Sequence, residues 1–91
     1  MTHPISQSPT ELLDYELNYT APLNGDTITA SAWAVNPAGA ATTSSPSATA
    51  TTTTIWITGG VIGVQAEIIN TVTTTDGRVF QDSLMLTPVS I

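Results

Sequence analysis

Hydrophobic and polar positions alternate along much of the chain with a period of two, the pattern of half-buried β-strands. The alternation is clearest in residues 53–58 and 64–73. In the first of these, Ile55 and Ile57 share one face and Trp56 occupies the other. No segment of useful length shows the 3.6-residue period of an amphipathic helix. The pattern therefore predicts an all-β protein.

Turn signals divide the chain into short strands. Asn24-Gly25 and Asp76-Gly77 predict tight turns because these residue types tolerate positive φ. About seven short antiparallel strands with such spacing are typical of an immunoglobulin-like β-sandwich. We assign residues 14–91 to this sandwich. Residues 1–13, with their two prolines, are expected to form an extended N-terminal arm.

Two stretches need special local structure. Ile28 and Trp33 fall on opposite parities of one strand, so we expect a β-bulge between them, near residues 30–32. Trp33 is then expected at the centre of the core. The Ala-, Thr- and Ser-rich segment 40–54 predicts two short, weak strands joined by a loop at residues 44–47.

The charge balance narrows the classes of partner. The 91 residues include one basic side chain, Arg78, seven acidic side chains and no cysteine. Binding a phosphate backbone or an anionic membrane surface requires several basic side chains. We therefore expect no nucleic acid and no membrane among the partners, which leaves proteins, further copies of the chain, and neutral or cationic ligands. The polar first nine residues do not have the pattern of a signal peptide.

A search for catalytic groups finds no convincing arrangement. The single histidine, His3, lies in the predicted arm, and the chain contains no lysine. Serine and threonine are spread along the strands, without a nucleophile-elbow pattern. The glycines of residues 59–63 lack the lysine and following helix of a phosphate loop. We expect neither enzymatic activity nor a cofactor or metal site.

Five residues are candidates for contacts with a partner. Trp56 lies on the strand face opposite two isoleucines, where an exposed Trp is a common interface anchor. Arg78 is either a recognition residue or the partner of a nearby acid, such as Asp76 or Asp82. The complete candidate interface set is Pro4, Ile5, Tyr15, Trp56 and Arg78.

Several segments occur in a characteristic order across residues 8–86. They are Ser8-Pro9-Thr10-Glu11-Leu12-Leu13-Asp14-Tyr15, Leu23-Asn24-Gly25-Asp26-Thr27-Ile28 followed by Trp33, Ile55-Trp56-Ile57-Thr58-Gly59-Gly60 with Gly63, Asn70-Thr71-Val72-Thr73-Thr74, and Asp76-Gly77-Arg78. In order and spacing the chain resembles the phage fiber-tail adaptor family, small proteins of tailed bacteriophages and prophages.

The resemblance implies a structural virion protein. Such a protein would be assembled in the host bacterial cytoplasm, dock on the phage tail in several copies around its axis, and provide the attachment point for tail fibers. Two alternatives stay open. The same small acidic sandwich could be a capsid decoration or head–tail joining protein, or a carbohydrate- or receptor-binding module.

Overall fold

The computed structural model describes residues 2–90, so Met1 of the predicted arm and Ile91 of the predicted sandwich lie outside the described residues. Within this range the chain forms seven strands and one four-residue helix, which confirms the all-β prediction. The strands are β1 (Thr2–Gln7), β2 (Leu12–Asn18), β3 (Ile28–Asn36), β4 (Thr42–Ala48), β5 (Thr52–Thr58), β6 (Ala66–Thr74) and β7 (Val79–Pro88). The helix α1 (Thr20–Leu23) lies between β2 and β3.

The strands form two sheets that pack face to face. One sheet has the order β1-β7-β6-β3 and the other has the order β2-β5-β4. Both sheets contribute to a single core: Leu17, Tyr19, Leu23, Ala40, Ala41, Ile55, Ile57, Ala66, Ile68, Val72, Leu84 and Leu86. The molecule is elongated, with extents of 43 × 19 × 18 Å. The predicted β-sandwich is confirmed.

The strand order bears on the immunoglobulin-like assignment. In a constant-type immunoglobulin domain, strands B, E and D are neighbours in one sheet and strands G, F and C in the other. If β2 to β7 correspond to B to G, the orders β2-β5-β4 and β7-β6-β3 match this arrangement. The order favours the immunoglobulin-like assignment, which stays a prediction.

The period of two accounts for the core. Along β6, every second side chain from Ala66 to Thr74 is buried, and the residues between them are half-buried. In β5, Ile55 and Ile57 are buried whereas Trp56 is exposed. Burying one such aliphatic side chain stabilises the fold by about 1.5–3 kcal/mol, so the inward positions determine which face each strand presents.

The predicted β-bulge is present, but closer to the start of β3. Ile28 pairs with Thr74 and Ala30 pairs with Thr73, which leaves Thr29 as the extra residue. The bulge therefore lies before residues 30–32. It resets the alternation, so that the apolar side chains before and after it can both point inward.

Trp33 does not form the centre of the core, contrary to the prediction. It is half-buried and packs against the core cluster from its margin. The reason is that β3 is the last strand of its sheet, so one side of the indole ring has no strand beyond it. Leu, Ile and Val side chains occupy the centre instead.

The N-terminal segment is extended and paired. Residues 2–7 form β1, which runs parallel to β7, with Ile5 opposite Leu86. This parallel pair differs from the uniformly antiparallel arrangement expected from the sequence. Proline has no backbone N–H to donate to a neighbouring strand. Pro4 is tolerated because β1 is an edge strand, and its outer side does not take part in the ladder of hydrogen bonds.

The middle segment forms one strand where two were predicted. β4 pairs with β5 on both sides of residues 45–46, where the register shifts between Ser44 and Ser47. Ser45 has a φ of 49° and the next residue is proline, which explains the local break. Pairing with the strongly β-forming β5 resumes beyond the break, so the sequence signal for a loop marks an irregularity within a strand.

Candidate interface surfaces

One end of the sandwich carries exposed aliphatic side chains. We call this surface the apolar end; it comprises Leu12, Leu13, Val61, Ile62, Val64 and Val89. Val61 is 56% exposed and Ile62 is 53% exposed. Three of the six lie in the loop that joins β5 to β6. The others lie at the start of β2 and just beyond β7, which reach the same end of the molecule.

The loop of the apolar end has a defined turn. The Val64 N–H donates to the Val61 carbonyl across 3.0 Å, which closes a four-residue turn with Ile62 at its second position. Gly63, at the third position, has a φ of 89°, in the left-handed region that favours glycine. The turn therefore presents Ile62 to solvent at its tip.

Neighbouring segments hold the base of this loop. The Gly59 N–H donates to the Pro9 carbonyl across 3.1 Å, and the Val89 N–H donates to the Gln7 carbonyl across 3.1 Å. At Gly60, a Cβ atom would lie 3.0 Å from the Pro88 ring. The absence of a side chain at this glycine lets the loop lie against the end of β7, next to Val89.

A second surface is the outer face of the sheet formed by β2, β5 and β4. Trp56 lies near its middle, 37% exposed, with Asp14 opposite it on β2 and Ser44 opposite it on β4. Both neighbours are exposed. The sequence predicted this outward direction for Trp56 from its parity alone. Its role in binding a partner stays a prediction.

A groove of about 660 Å³ opens between β2 and the β1–β7 pair. Its apolar lining includes Ile5, Leu17 and Phe80, and its polar lining includes Glu16 and Asp82. His3 also lines it, with Nε2 lying 2.8 Å from Asp82 Oδ2. Two of the predicted interface residues, Ile5 and Tyr15, thus line the same groove.

Tyr15 and Gln7 connect the two sheets at the groove. The Tyr15 hydroxyl donates to Gln7 Oε1 across 2.6 Å, and Gln7 Nε2 donates to the Ile57 carbonyl across 2.9 Å. Burial, followed by the negative charge of Glu11, raises the pKa of Tyr15. Ile5 packs against the core, whereas Pro4 is exposed on the edge strand. Tyr15 and Ile5 therefore contribute to the fold itself.

Arg78 forms an ion pair at the opposite end of the molecule. Its Nη2 donates to Asp26 Oδ2 across 3.1 Å and to the Leu23 carbonyl across 2.8 Å. The prediction that Arg78 pairs with an acid is right, but the acid is Asp26 and not Asp76 or Asp82. The β2–β3 connection brings Asp26 next to the β6–β7 turn, although the two residues are 52 positions apart.

The Asp26 carboxylate is held by several donors. Its side chain is 2% exposed, whereas that of Arg78 is 44% exposed. A hydrogen bond from Thr74, then those from the Thr27 N–H, from Arg78 and from the Asp76 N–H, lower the pKa of Asp26 against the opposing effect of burial. The side chain of Arg78 therefore stabilises the fold through its ion pair with Asp26.

A polar network crosses the core. The Tyr19 hydroxyl and the Thr53 hydroxyl both donate to Asn70 Oδ1, across 2.9 Å and 2.8 Å. Asn70 Nδ2 donates to Ser31 Oγ and to the Ala32 carbonyl. Burial, followed by the negative charge of Asp82, raises the pKa of Tyr19 to about 12. The hydroxyl is therefore a constant hydrogen-bond donor at physiological pH.

Sequence reasoning missed the apolar end. It compared the glycines of residues 59–63 with a phosphate loop and took no account of the aliphatic residues between them. A usable signal was present for Val61 and Ile62, which lie between the alternating segments 53–58 and 64–73, where no sheet face is available to bury them. Val64 was included in the second segment, but it lies before β6. Within residues 2–90, no cluster of His, Asp and Glu suits a metal ion. None of these residues belongs to a helix with the length and apolarity needed to cross a bilayer.

Comparison with known protein families finds a match over most of the chain. Residues 7–87 match the family described as podophage GP4 fiber-tail adaptor protein gp77. The chain belongs to this family. No curated protein matches the chain at a significant level. The family is a structural one, and its description names an adaptor between fiber and tail.

The surfaces described above lie within or beside the part of the chain that matches the adaptor family. The span of residues 7–87 contains all of β2 to β6, the loop of residues 59–65, and the Asp26–Arg78 ion pair. Most of β1 precedes it, and Val89 follows it. The matched span therefore includes the tip of the apolar end, whereas residues 2–6 of the edge strand β1 precede it.

Proposed function

We propose that this adaptor-family chain docks on the phage tail in several copies and joins tail fibers to it. The family match supports a structural component of the virion tail. The exposed apolar end carries the proposal for docking, because it is a surface that another protein would bury. The chain needs no catalytic group for this role.

The apolar end has the character of a protein contact. A cluster of exposed aliphatic side chains marks an interaction site more often than single, scattered exposed side chains do. Here Val61, Ile62 and Val64 are held in a hydrogen-bonded turn, so little conformational entropy is lost when a partner covers them. The 43 Å long axis separates this surface from the Asp26–Arg78 end. An elongated shape with one apolar end suits a spacer that binds one partner there and another elsewhere.

The test is incorporation into particles. A phage that lacks the gene would be complemented with chains carrying Ile62→Lys, or Val79→Lys as the matched control. Val79 is 62% exposed and lies at the start of β7, away from the apolar end. We expect Ile62→Lys to reduce both the chain and the fibers on purified particles by about 10-fold or more, because it places a charge in the centre of the contact.

The controls distinguish the parts of the proposal. Val79→Lys particles are expected to carry normal amounts of chain and fibers. Normal incorporation of Ile62→Lys would overturn the docking role of the apolar end. Particles that lack the chain but keep all their fibers would overturn the adaptor role itself.

One observation favours a second candidate function, the binding of a carbohydrate. Exposed Trp56 lies on a β-sheet face between a carboxylate, Asp14, and a hydroxyl, Ser44, which is a composition that can stack and hydrogen-bond a sugar ring. Titration with mono- and disaccharides should then quench fluorescence in the unmodified chain and not in Trp56→Phe. Unchanged fluorescence in both proteins would exclude this candidate.

A further inference from the structure

Each sheet of the sandwich ends in two edge strands, and edge strands expose unpaired backbone N–H and C=O groups. The four edges are β1 and β3 in one sheet, and β2 and β4 in the other. Natural proteins protect such edges with proline, charged side chains or breaks in the strand. The protection of each edge in this chain can be read from its residues.

Three of the four edges carry a recognised form of protection. β1 contains Pro4, which removes one backbone donor. β2 carries Asp14 and Glu16 on its outer face. β4 contains Pro46 and breaks its register beside Ser45. Each device opposes pairing with another strand.

The fourth edge, β3, is open beyond its first residue, where the Ile28 N–H donates to the Ala50 carbonyl across 2.9 Å. Its nine residues, Ile28–Asn36, include no charged residue and no proline, and its bulge lies at the beginning, at Thr29. The outward-facing side chains along its middle, Ala30, Ala32 and Ala34, are small and exposed. Beyond Ile28, a strand edge of this length without charged residues or proline is a template for strand addition.

The interior beside β3 is also incompletely covered. Ile28, Trp33 and Val35 pack against the core but are only half-buried, because no strand lies beyond β3. A groove of about 430 Å³, bounded by the start of β3 and by residues 46–50, opens on this side. A strand added to β3 would pair its backbone and shield these side chains from water.

The charge pattern indicates what pairs with β3. β3 has no carboxylate that could attract a basic partner strand. The charge of such a strand would instead favour surfaces that carry acids, such as β2. A second copy, with the same net charge of −6, can approach closely where its own acids are absent. Antiparallel pairing of β3 with itself places no like charges opposite each other, whereas self-pairing of β2 would oppose acids.

We infer that two copies of the chain associate through β3, which pairs antiparallel with its own copy about a two-fold axis near Ala32. Such a contact is isologous and merges two four-stranded sheets into one continuous sheet. It deepens the proposed function, on which it rests for the presence of several copies, by naming the surface where copies meet. The apolar ends stay free to bind the tail.

The test measures self-association of the purified chain by analytical ultracentrifugation. The unmodified chain is expected to show a monomer–dimer equilibrium between about 10 µM and about 1 mM. Ala32→Lys and Ala32→Glu should each raise the dimer dissociation constant by about 10-fold or more, because each brings like charges together at the two-fold axis. An equimolar mixture of the two variants should restore association to within about 3-fold of the unmodified chain.

Ala21→Lys and Ala21→Glu provide matched controls. Ala21 is exposed in α1, outside β3, and its substitution is expected to leave the dissociation constant unchanged. As an independent measurement on the unmodified chain, amide hydrogen exchange in residues 30–35 should slow as concentration rises through the same range. Circular dichroism checks that each variant is folded.

Three outcomes would overturn the inference. They are a chain that stays monomeric up to about 1 mM, association unaffected by both Ala32 variants, and concentration-independent exchange in residues 30–35. None of these outcomes bears on the particle experiment with Ile62→Lys. Failure of the copy–copy contact is therefore distinguishable from failure of the adaptor role.

Discussion

Asn70 is the residue on which the polar interior depends. It is fully buried in β6, and its side-chain oxygen accepts from Thr53 of the opposite sheet and from Tyr19, which directly follows β2. A buried hydroxyl without an acceptor is costly, so Asn70 lets two other polar groups occupy the core. The sequence placed Asn70 on the apolar face of its strand, but the parity rule gave no reason for a polar residue there. The reason is a pair of hydroxyls 17 and 51 positions away.

Substitutions in this network should have unequal effects. Tyr19→Phe removes one donor and leaves Asn70 paired with Thr53, so we expect a loss of about 0.5–1.5 kcal/mol in the free energy of unfolding. Asn70→Ala leaves both hydroxyls without this acceptor and creates a cavity, for an expected loss of about 2–4 kcal/mol. Urea denaturation measures both, with exposed Gln81→Ala as the control. Equal losses for the two core variants would contradict the network.

Asp26 gives the stability of the fold a dependence on pH. Its pKa in the folded chain is lowered, so folding favours the ionised form. This contribution is fully present above the unfolded pKa of about 4 and is lost as the pH falls through the lower folded value. Acid should therefore weaken the end of the molecule that Arg78 and Asp26 hold together.

Comparison of Asp26→Asn with the unmodified chain tests this pH dependence. Near pH 7 the variant should unfold at a lower urea concentration, and the difference should narrow as the pH falls from about 4 to about 2. The matched variant Asp14→Asn, at an exposed position of β2, is expected to follow the unmodified chain at every pH. A difference between Asp26→Asn and the unmodified chain that stays constant across this range would contradict the assignment.

At the scale of the elements, prediction succeeded where the local pattern matched the packing. β5 and β6 alternate regularly, and Asp76-Gly77 lies in the turn that precedes β7. β1 was assigned to an arm because its partner, β7, is about 80 residues away, and no local signal reports a parallel pairing. The break in β4 resembles a loop in sequence, and only its pairing with β5 shows that the strand continues.

The same distinction applies to the candidate surfaces: features set by the local pattern were predictable, whereas those set by contacts between distant segments were not. The outward direction of Trp56 depends on parity within one strand and was predictable. The partner of Arg78 depends on two connections meeting at one end of the sandwich, which the sequence does not encode locally. Ile5 belongs to the predicted arm and to the candidate interface set, and no local signal in the sequence indicated that its pairing in β1 also packs it against the core.

Removal of β1 tests its contribution as an element. Deletion of residues 1–7 removes Gln7, which leaves the Tyr15 hydroxyl and the Ile57 carbonyl without their partner. We expect the free energy of unfolding to fall by at least about 2 kcal/mol, and Gln7→Ala to account for much of this loss. Pro4→Ala, at an exposed position, is the control. If the truncated chain unfolds at the same urea concentration as the full chain, β1 acts only as an arm.

At the scale of the whole molecule, the features form one arrangement. An acidic, elongated sandwich has aliphatic side chains at one end, an ion pair at the other, and one open strand edge along its side. Exposure of the aliphatic end and of the open strand edge would not stabilise a chain that acted alone. The chain belongs to the fiber-tail adaptor family, and we propose a tail protein as the partner of the apolar end and a further copy as the partner of β3.

The most direct test of the central claim is the position of the chain in the virion. Purified particles would be labelled with a gold-conjugated antibody against the folded domain and viewed by electron microscopy, with particles from a phage that lacks the gene as the control. The account predicts label at the tail, where the fibers attach. Label distributed over the capsid, or particles that carry fibers but no label, would contradict it.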